Sequence, residues 1–179
     1  MVTHAAGTDS RVCAPTCYHT PFAIQSPSHF RPTGRPPLTS KKYAADFNEV
    51  KGFGSIDSQK RTADQTEAAK FWEDAAPPTS AWDIVALNLA AQRDTGLSRR
   101  SLLLAQVNLA MADAMVACWD AKYHYSFWRP ITAIELADLD GNAQAERDMT
   151  WMPLLITPPF PEYPSGSRSD HPRGFSPHR

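Results

Sequence analysis

From Ser98 to Pro130 the chain carries a run that leaves few choices of fold. Leu102, Leu103, Leu104, Val107, Leu109, Met111, Met115 and Val116 recur through it at intervals that wrap most of a helix circumference, with Ser98 placed to cap the first turn. A helix apolar nearly all round must be covered on nearly all sides, which puts it in the middle of a bundle. Gln106, Asn108 and Asp113 interrupt the run. It therefore falls short of the roughly 18 unbroken apolar residues of a membrane span and reads as a buried helix.

The neighbouring segments follow the same helical pattern. Ser40 caps a helix over 41–51, with Tyr43, Phe47 and Val50 on one face and Gly52 as the stop. A second helix runs from Thr62 to Ala76 and is ended by Pro77-Pro78, its Phe71 and Trp72 reading as core packing. Ser80 caps a third over 81–95, which carries Trp82, Val85, Leu87 and Leu89 and closes on Gly96. Pro130 opens one more, its missing N–H falling among the unpaired first-turn donors; Ile131, Ile134, Leu136 and Leu139 follow, and Gly141 ends it. No stretch alternates β-branched residues at a period of two, and no repeat is visible. The fold class is all-α.

The two ends differ from this middle. Residues 1–39 are proline-rich without a helical period, which gives an extended, surface-hugging arm anchored by Phe22, Ile24 and Phe30, or a flexible tail. Residues 167–179, broken by Pro172, Gly174 and Pro177, read as a divergent, disordered tail. Between them, 40–166 form the helical domain, and a chain of 179 residues is long enough to bury a real core. A net charge of -1 with scattered basic residues leaves no footprint for nucleic acid or an anionic membrane surface. Cys13, Cys17 and Cys118 lack zinc-site spacing; Cys118 reads as a buried small hydrophobe, and Cys13 and Cys17 pair only if their loop permits. The first residues lack the basic and apolar regions of a signal peptide, and the compartment stays open.

Chemistry is suggested at two places. Lys122 and Arg129 flank a helix break set by Pro130, which allows the Lys on the last turns of one helix and the Arg at the start of the next. Two fixed cations in a partly dry pocket suit a phosphate-like anion, the Arg through bidentate hydrogen bonds and the Lys as a point charge; by residue type alone, both are equally at home as solvated helix-end charges. Ser165-Gly166, after Tyr163-Pro164, offers a hydroxyl and backbone N–H groups to oxygens, or an ordinary turn. His124 and Trp128 are candidate pocket-lining residues, and Asp120 either orients Lys122 or faces water.

The wording of these motifs decides between the readings. Lys122-x-x-x-x-x-x-Arg129-Pro130 followed by Pro164-Ser165-Gly166 resembles the first two signature motifs of the vanadium-dependent haloperoxidase and type 2 phosphatidic acid phosphatase superfamily. The surroundings, Tyr123-His124-Tyr125-Ser126-Phe127-Trp128-Arg129-Pro130-Ile131 and Thr157-Pro158-Pro159-Phe160-Pro161-Glu162-Tyr163-Pro164-Ser165-Gly166, are similar to its soluble bacterial haloperoxidase-like branch, and the likeness extends back to Thr20. It implies a helical bundle of the haloperoxidase/acid phosphatase type, incomplete at the C-terminus, whose site binds vanadate or phosphate. Lys122 and Arg129 would neutralise the oxyanion, and Ser165 and the Gly166 amide would donate hydrogen bonds to it. Vanadate held this way activates peroxide to oxidise a halide, whereas a phosphate ester is attacked at phosphorus. The implied partners are thus a small oxyanion with halide and peroxide, or a phosphate ester, with homodimerisation left open. The implied cofactor is vanadate.

Two departures from the pattern matter. The family continues Pro-Ser-Gly-His, and that His moves the proton; here the fourth position is Ser167, which cannot titrate near neutral pH. The third motif, with its further His, is absent before Arg179; His171 in Ser167-Arg168-Ser169-Asp170-His171 follows too soon to replace it. A frame slip after Gly166 would explain both. The expectation is the N-terminal part of a vanadate- or phosphate-binding enzyme, catalytically impaired. The alternatives are a non-catalytic helical binding or assembly module and a non-functional truncated product.

Overall fold

Ser40 turns the chain into its first helix by accepting the Tyr43 amide on its hydroxyl at 3.1 Å. In the computed structural model, which describes residues 19–74 and 78–165, α1 then covers Lys41–Gly54, α2 Ala63–Asp74, α3 Pro78–Gln92, α4 Leu97–Tyr125 and α5 Pro130–Glu135, with a 3-10 turn at Ala137–Leu139. Among the described residues the one extended pairing is an isolated bridge between Ser55 and Pro153. The chain divides into two compact units. One holds Thr33–Asp74 and Tyr125–Tyr163; the other holds, of the described residues, 19–32, 78–124 and 164–165.

In the first unit, α1 and α5 bury a common cluster of Tyr43, Phe47, Ala133, Ile134, Ala137, Ala145 and Trp151, with Leu38, Phe127, Trp128 and Ile131 packed against it. Gly52 does not stop α1, which runs on to Gly54, and the reason is tertiary. The last carbonyls of a helix need partners from outside it, and here every one is taken. Trp151 Nε1 donates to Lys51 O at 2.9 Å, Ser58 Oγ to Gly52 O at 2.7 Å, Arg61 Nη1 to Phe53 O, and Leu154 N to Gly54 O at 2.9 Å. Gly54 packs closely, since a Cβ there would sit 3.2 Å from Trp151 Cζ2 and the indole would have to shift by a few tenths of an ångström. These bonds dock the proline-rich segment after Trp151 across the end of α1. Val50, expected on the buried face, is exposed.

Tyr43 also carries the unit's one strongly shifted phenol. Burial first, and the Asp140 carboxylate second, push it up to about 12, against the Trp128 N–H and Arg35, which pull it down. The helix predicted from Thr62 is α2, opened by a reciprocal capping box: Gln65 N to Thr62 Oγ1 at 3.2 Å and Thr62 N to Gln65 Oε1 at 2.9 Å. Its Phe71 and Trp72 are 64% and 60% exposed and stack edge to face on each other, so they are not core packing. The element after Pro130 is shorter than its apolar spacing suggests. Leu136 breaks it at φ -114, the 3-10 turn follows, and Gly141 reverses the chain at φ 72 with Leu139 left exposed.

In the second unit, α3 starts at Pro78, which puts Ser80 inside the helix rather than at its cap. It closes before Gly96. The Thr95 amide reaches Ala90 O and the Asp94 amide reaches Ala91 O, both at 3.2 Å, with Asp94 at φ 44, so Asp94 fills the left-handed position expected of Gly96. Ser98 likewise lies within α4. This long helix buries Met111, Asp113, Val116, Cys118, Ala121 and Lys122, while Leu102 and Leu109 are exposed. The region from Leu97 reaches a mean hydropathy of 1.5, enough by length and composition to cross a membrane. Two of its three interrupting polar residues are nevertheless engaged by other parts of the fold: Asn108 donates to Asp83 at 2.8 Å, and Asp113 holds the arm. The cover expected on nearly all sides is found only from Met111 onward: no residue of 101–110 is buried, and 22% of the most apolar window is buried.

The arm is anchored differently from expectation. Phe22 and Phe30 are exposed. Polar bonds hold it instead. The amides of Phe22, Ala23 and Ile24 donate to the buried Asp113 carboxylate at 2.6, 2.7 and 3.0 Å, and Arg31 pairs with Asp120 at 2.6 Å. Asp120 is therefore tied to the arm rather than simply facing water. Burial raises the Asp113 carboxyl, but the three amide donors outweigh it and hold the group below 3.8. A carboxyl depressed in the folded state stabilises fully above its unfolded value of 3.8 and loses that contribution as pH falls through the lower folded value. At neutral pH, D113A should speed hydrogen exchange at the amides of residues 22–24 by about tenfold or more. Unchanged exchange would show that the arm is held by something else.

Candidate oxyanion site

The break after α4 builds the site. Tyr125 ends the helix, Ser126 turns the chain at φ 42, and Arg129 sits as the N-cap of α5 with Pro130 at its first position. Arg129 O accepts the Ala133 amide at 2.9 Å, so the backbone of this residue is fixed by the helix it starts. Glu162 is fixed from the other side, its amide donating to Phe127 O at 3.0 Å. Tyr163 is held next to it: its ring lies edge-on to Tyr125 with centroids 5.4 Å apart, and its hydroxyl reaches Gly34 O at 3.3 Å.

Gly34 is the hinge of that contact. It stands at φ 94, and a Cβ would lie 3.2 Å from Tyr125 Cε1. G34A should therefore cost about 1–3 kcal/mol from backbone strain and crowding. A denaturant titration that finds no loss would contradict this packing.

The Arg129 side chain is 13% exposed and held on three sides. Nε donates to Phe160 O at 2.7 Å, Nη1 meets Glu162 Oε2 at 2.5 Å, and the guanidinium carbon lies 4.6 Å from the Phe160 ring centroid. Nη2 is buried and has no hydrogen-bond partner. A buried cationic donor without an acceptor is costly unless a ligand completes it. Arg129, Pro130, Glu162 and Arg61 line a cavity of about 280 Å³ with Trp151 and Leu154, which places a second guanidinium on the same cavity. Arg61 is anchored through Nε to Thr66 Oγ1 at 3.0 Å and through Nη1 to Ser55 O at 2.8 Å.

The other residues singled out from the sequence lie as follows. Lys122 is 2% exposed, on the last turns of α4, and belongs to the second unit, whereas Arg129 belongs to the first. His124 is exposed and Trp128 packs on the cluster between α1 and α5. Ser165 is exposed, and Gly166 lies outside the described residues, as do Ser167, Cys13 and Cys17. Cys118 is buried and free. Glu162 and the Phe160 carbonyl escaped the sequence reading. The only signal was one acid within a proline-rich run, and a run of that kind carries no periodicity to say which way the acid points.

The chain order is a long, largely apolar α4 followed by α5, which opens with Arg129 as N-cap and Pro130 at its first position. Residues 102–169 match the family described as the VCPO second helical-bundle domain. The vanadium chloroperoxidase of Curvularia inaequalis is 32% identical over 74 residues, covering 36% of this chain and 12% of that protein. A crystal structure of a bacterial vanadium-dependent iodoperoxidase superposes with a TM-score of 0.61 at 28% identity, over 82% of this chain and 36% of that one. The chain is thus similar to vanadium haloperoxidases, most specifically over residues 102–169, and spans only a minor part of the length of these two relatives.

Proposed function

We propose that this chain is the oxyanion-binding part of a haloperoxidase-type enzyme, with Arg129 as the cation that recognises vanadate or phosphate. The supporting observation is the clamped guanidinium, whose Nη2 is buried with no acceptor from the protein. A tetrahedral oxyanion supplies the acceptor such a donor lacks, and a guanidinium is suited to it by its fixed planar fork. Lys122, Ser165 and Gly166 complete the proposed set, as the resemblance to the family implies. When bound, vanadate would supply peroxide activation. The relatives are named as a chloroperoxidase and an iodoperoxidase, which makes halide oxidation the parent activity preferred over phosphate-ester hydrolysis.

Ser167 at the position of the family's His removes the proton shuttle, so turnover by this chain should be low even where binding is intact. Binding and turnover are measured separately. A ligand that binds only the native state raises stability by about 2.7 kcal/mol at a hundredfold excess over its Kd, which corresponds to a melting-temperature rise on the order of 5–10 °C for a chain of this size. Vanadate and phosphate should give such a rise and chloride should not. No rise with either anion would favour a non-catalytic helical module. Fast bromide oxidation or ester hydrolysis would contradict the low turnover.

A further inference from the structure

The family motif accounts for Arg129 but not for what holds it. An arginine side chain has several rotatable bonds, and a free guanidinium loses much of its entropy when it binds one oxyanion in one orientation. Here that freedom is already gone. Nε is tied to Phe160 O at 2.7 Å, the plane lies over the Phe160 ring at 4.6 Å, and Nη1 is tied to Glu162 Oε2 at 2.5 Å. Two of these three ties come from main chain and ring. The third is a side-chain carboxylate, and it is anchored itself: the Glu162 amide donates to Phe127 O, two residues before Arg129, so the segments bearing the acid and the base are stitched together beside the pair.

A carboxylate next to an anion-binding arginine can act in two opposite ways. It can occupy the donors as an internal competitor, or it can orient the cation and leave other donors open. The geometry separates these roles. Glu162 takes Nη1 alone, Phe160 O takes Nε, and both hydrogens of Nη2 remain. We infer that Glu162 is a positioning residue, which fixes the Arg129 guanidinium so that Nη2 is presented to the oxyanion. This rests on the oxyanion reading of Arg129.

Vanadate titrations of the full chain and its variants test it. E162Q keeps an acceptor oxygen at the same reach and should bind vanadate within about threefold of the unaltered chain. E162A removes the tie and should weaken binding by about tenfold or more. E162D keeps the charge but draws the oxygens back by one methylene, and should weaken binding nearly as much as E162A. In an R129A background the E162A change should have no further effect, because the two residues act as one unit. E162D keeps the test alive if E162A does not fold. Tighter binding by E162A would make Glu162 a competitor and overturn the inference. So would equal losses in E162Q and E162A, full affinity in E162D, or an undiminished E162A effect without Arg129. Failure of the unaltered chain to bind vanadate would instead overturn the oxyanion reading itself.

Discussion

R129A should weaken vanadate binding by about 10- to 100-fold, the consequence of losing charge-assisted hydrogen bonds worth about 1.5–3 kcal/mol. The effect should exceed that of any other single change in the first unit, because among the described residues Arg129 alone contributes both to the cavity and, through Nη2, a buried donor with no protein acceptor. R129K is the sharper control. Lysine keeps the charge but concentrates its donors at one atom, so it cannot hold Phe160 O, Glu162 and a ligand oxygen from three nitrogens at once. It should recover little of the lost affinity. Isothermal titration distinguishes the cases, and a fully competent R129K would mean that only charge matters at this position.

The largest loss of stability is expected at Ile134. At 1% exposed it is the most completely buried large side chain among the described residues, and it joins α5 to Tyr43 and Phe47 of α1. Its backbone carbonyl also accepts the Asp148 amide at 3.1 Å, which ties the loop beyond the 3-10 turn to the same helix. I134A removes buried methylenes and leaves a cavity that a six-residue helix cannot close by collapsing, at a cost of about 3 kcal/mol. Thermal unfolding should shift down by roughly 6–12 °C. I134V should cost only about 1 kcal/mol. An I134A chain that melts like the unaltered one would place the core of the first unit elsewhere.

The parts legible in the sequence are those that periodicity and capping chemistry control. The eight apolar positions from Leu102 to Val116 identified α4, Ser40 fixed the start of α1, and Pro130 fixed the start of α5 next to Arg129. What stayed hidden depends on distant partners. Gly52 looked like a helix stop, yet four partners between Ser58 and Leu154 carry α1 two residues further. Gly96 looked like a C-cap until Asp94 took the left-handed conformation a little earlier. Asp113 read as a flaw in an apolar helix, and it is the anchor of the arm, because nothing local tells an acid that its donors lie some ninety residues upstream. Phe71 and Trp72 have core chemistry but not core placement. In the site, Arg129 was legible through its neighbour Pro130, and the clamp of Glu162 and Phe160 was not.

The most direct measurement of the central claim is a crystal structure of the chain soaked with or grown in vanadate. The oxyanion should appear against Arg129 with one of its oxygens within about 3.2 Å of Nη2, and with the Nε bond to Phe160 O and the Nη1 bond to Glu162 intact. Vanadate bound elsewhere, or Nη2 taken up by an acceptor from the protein itself, would contradict it.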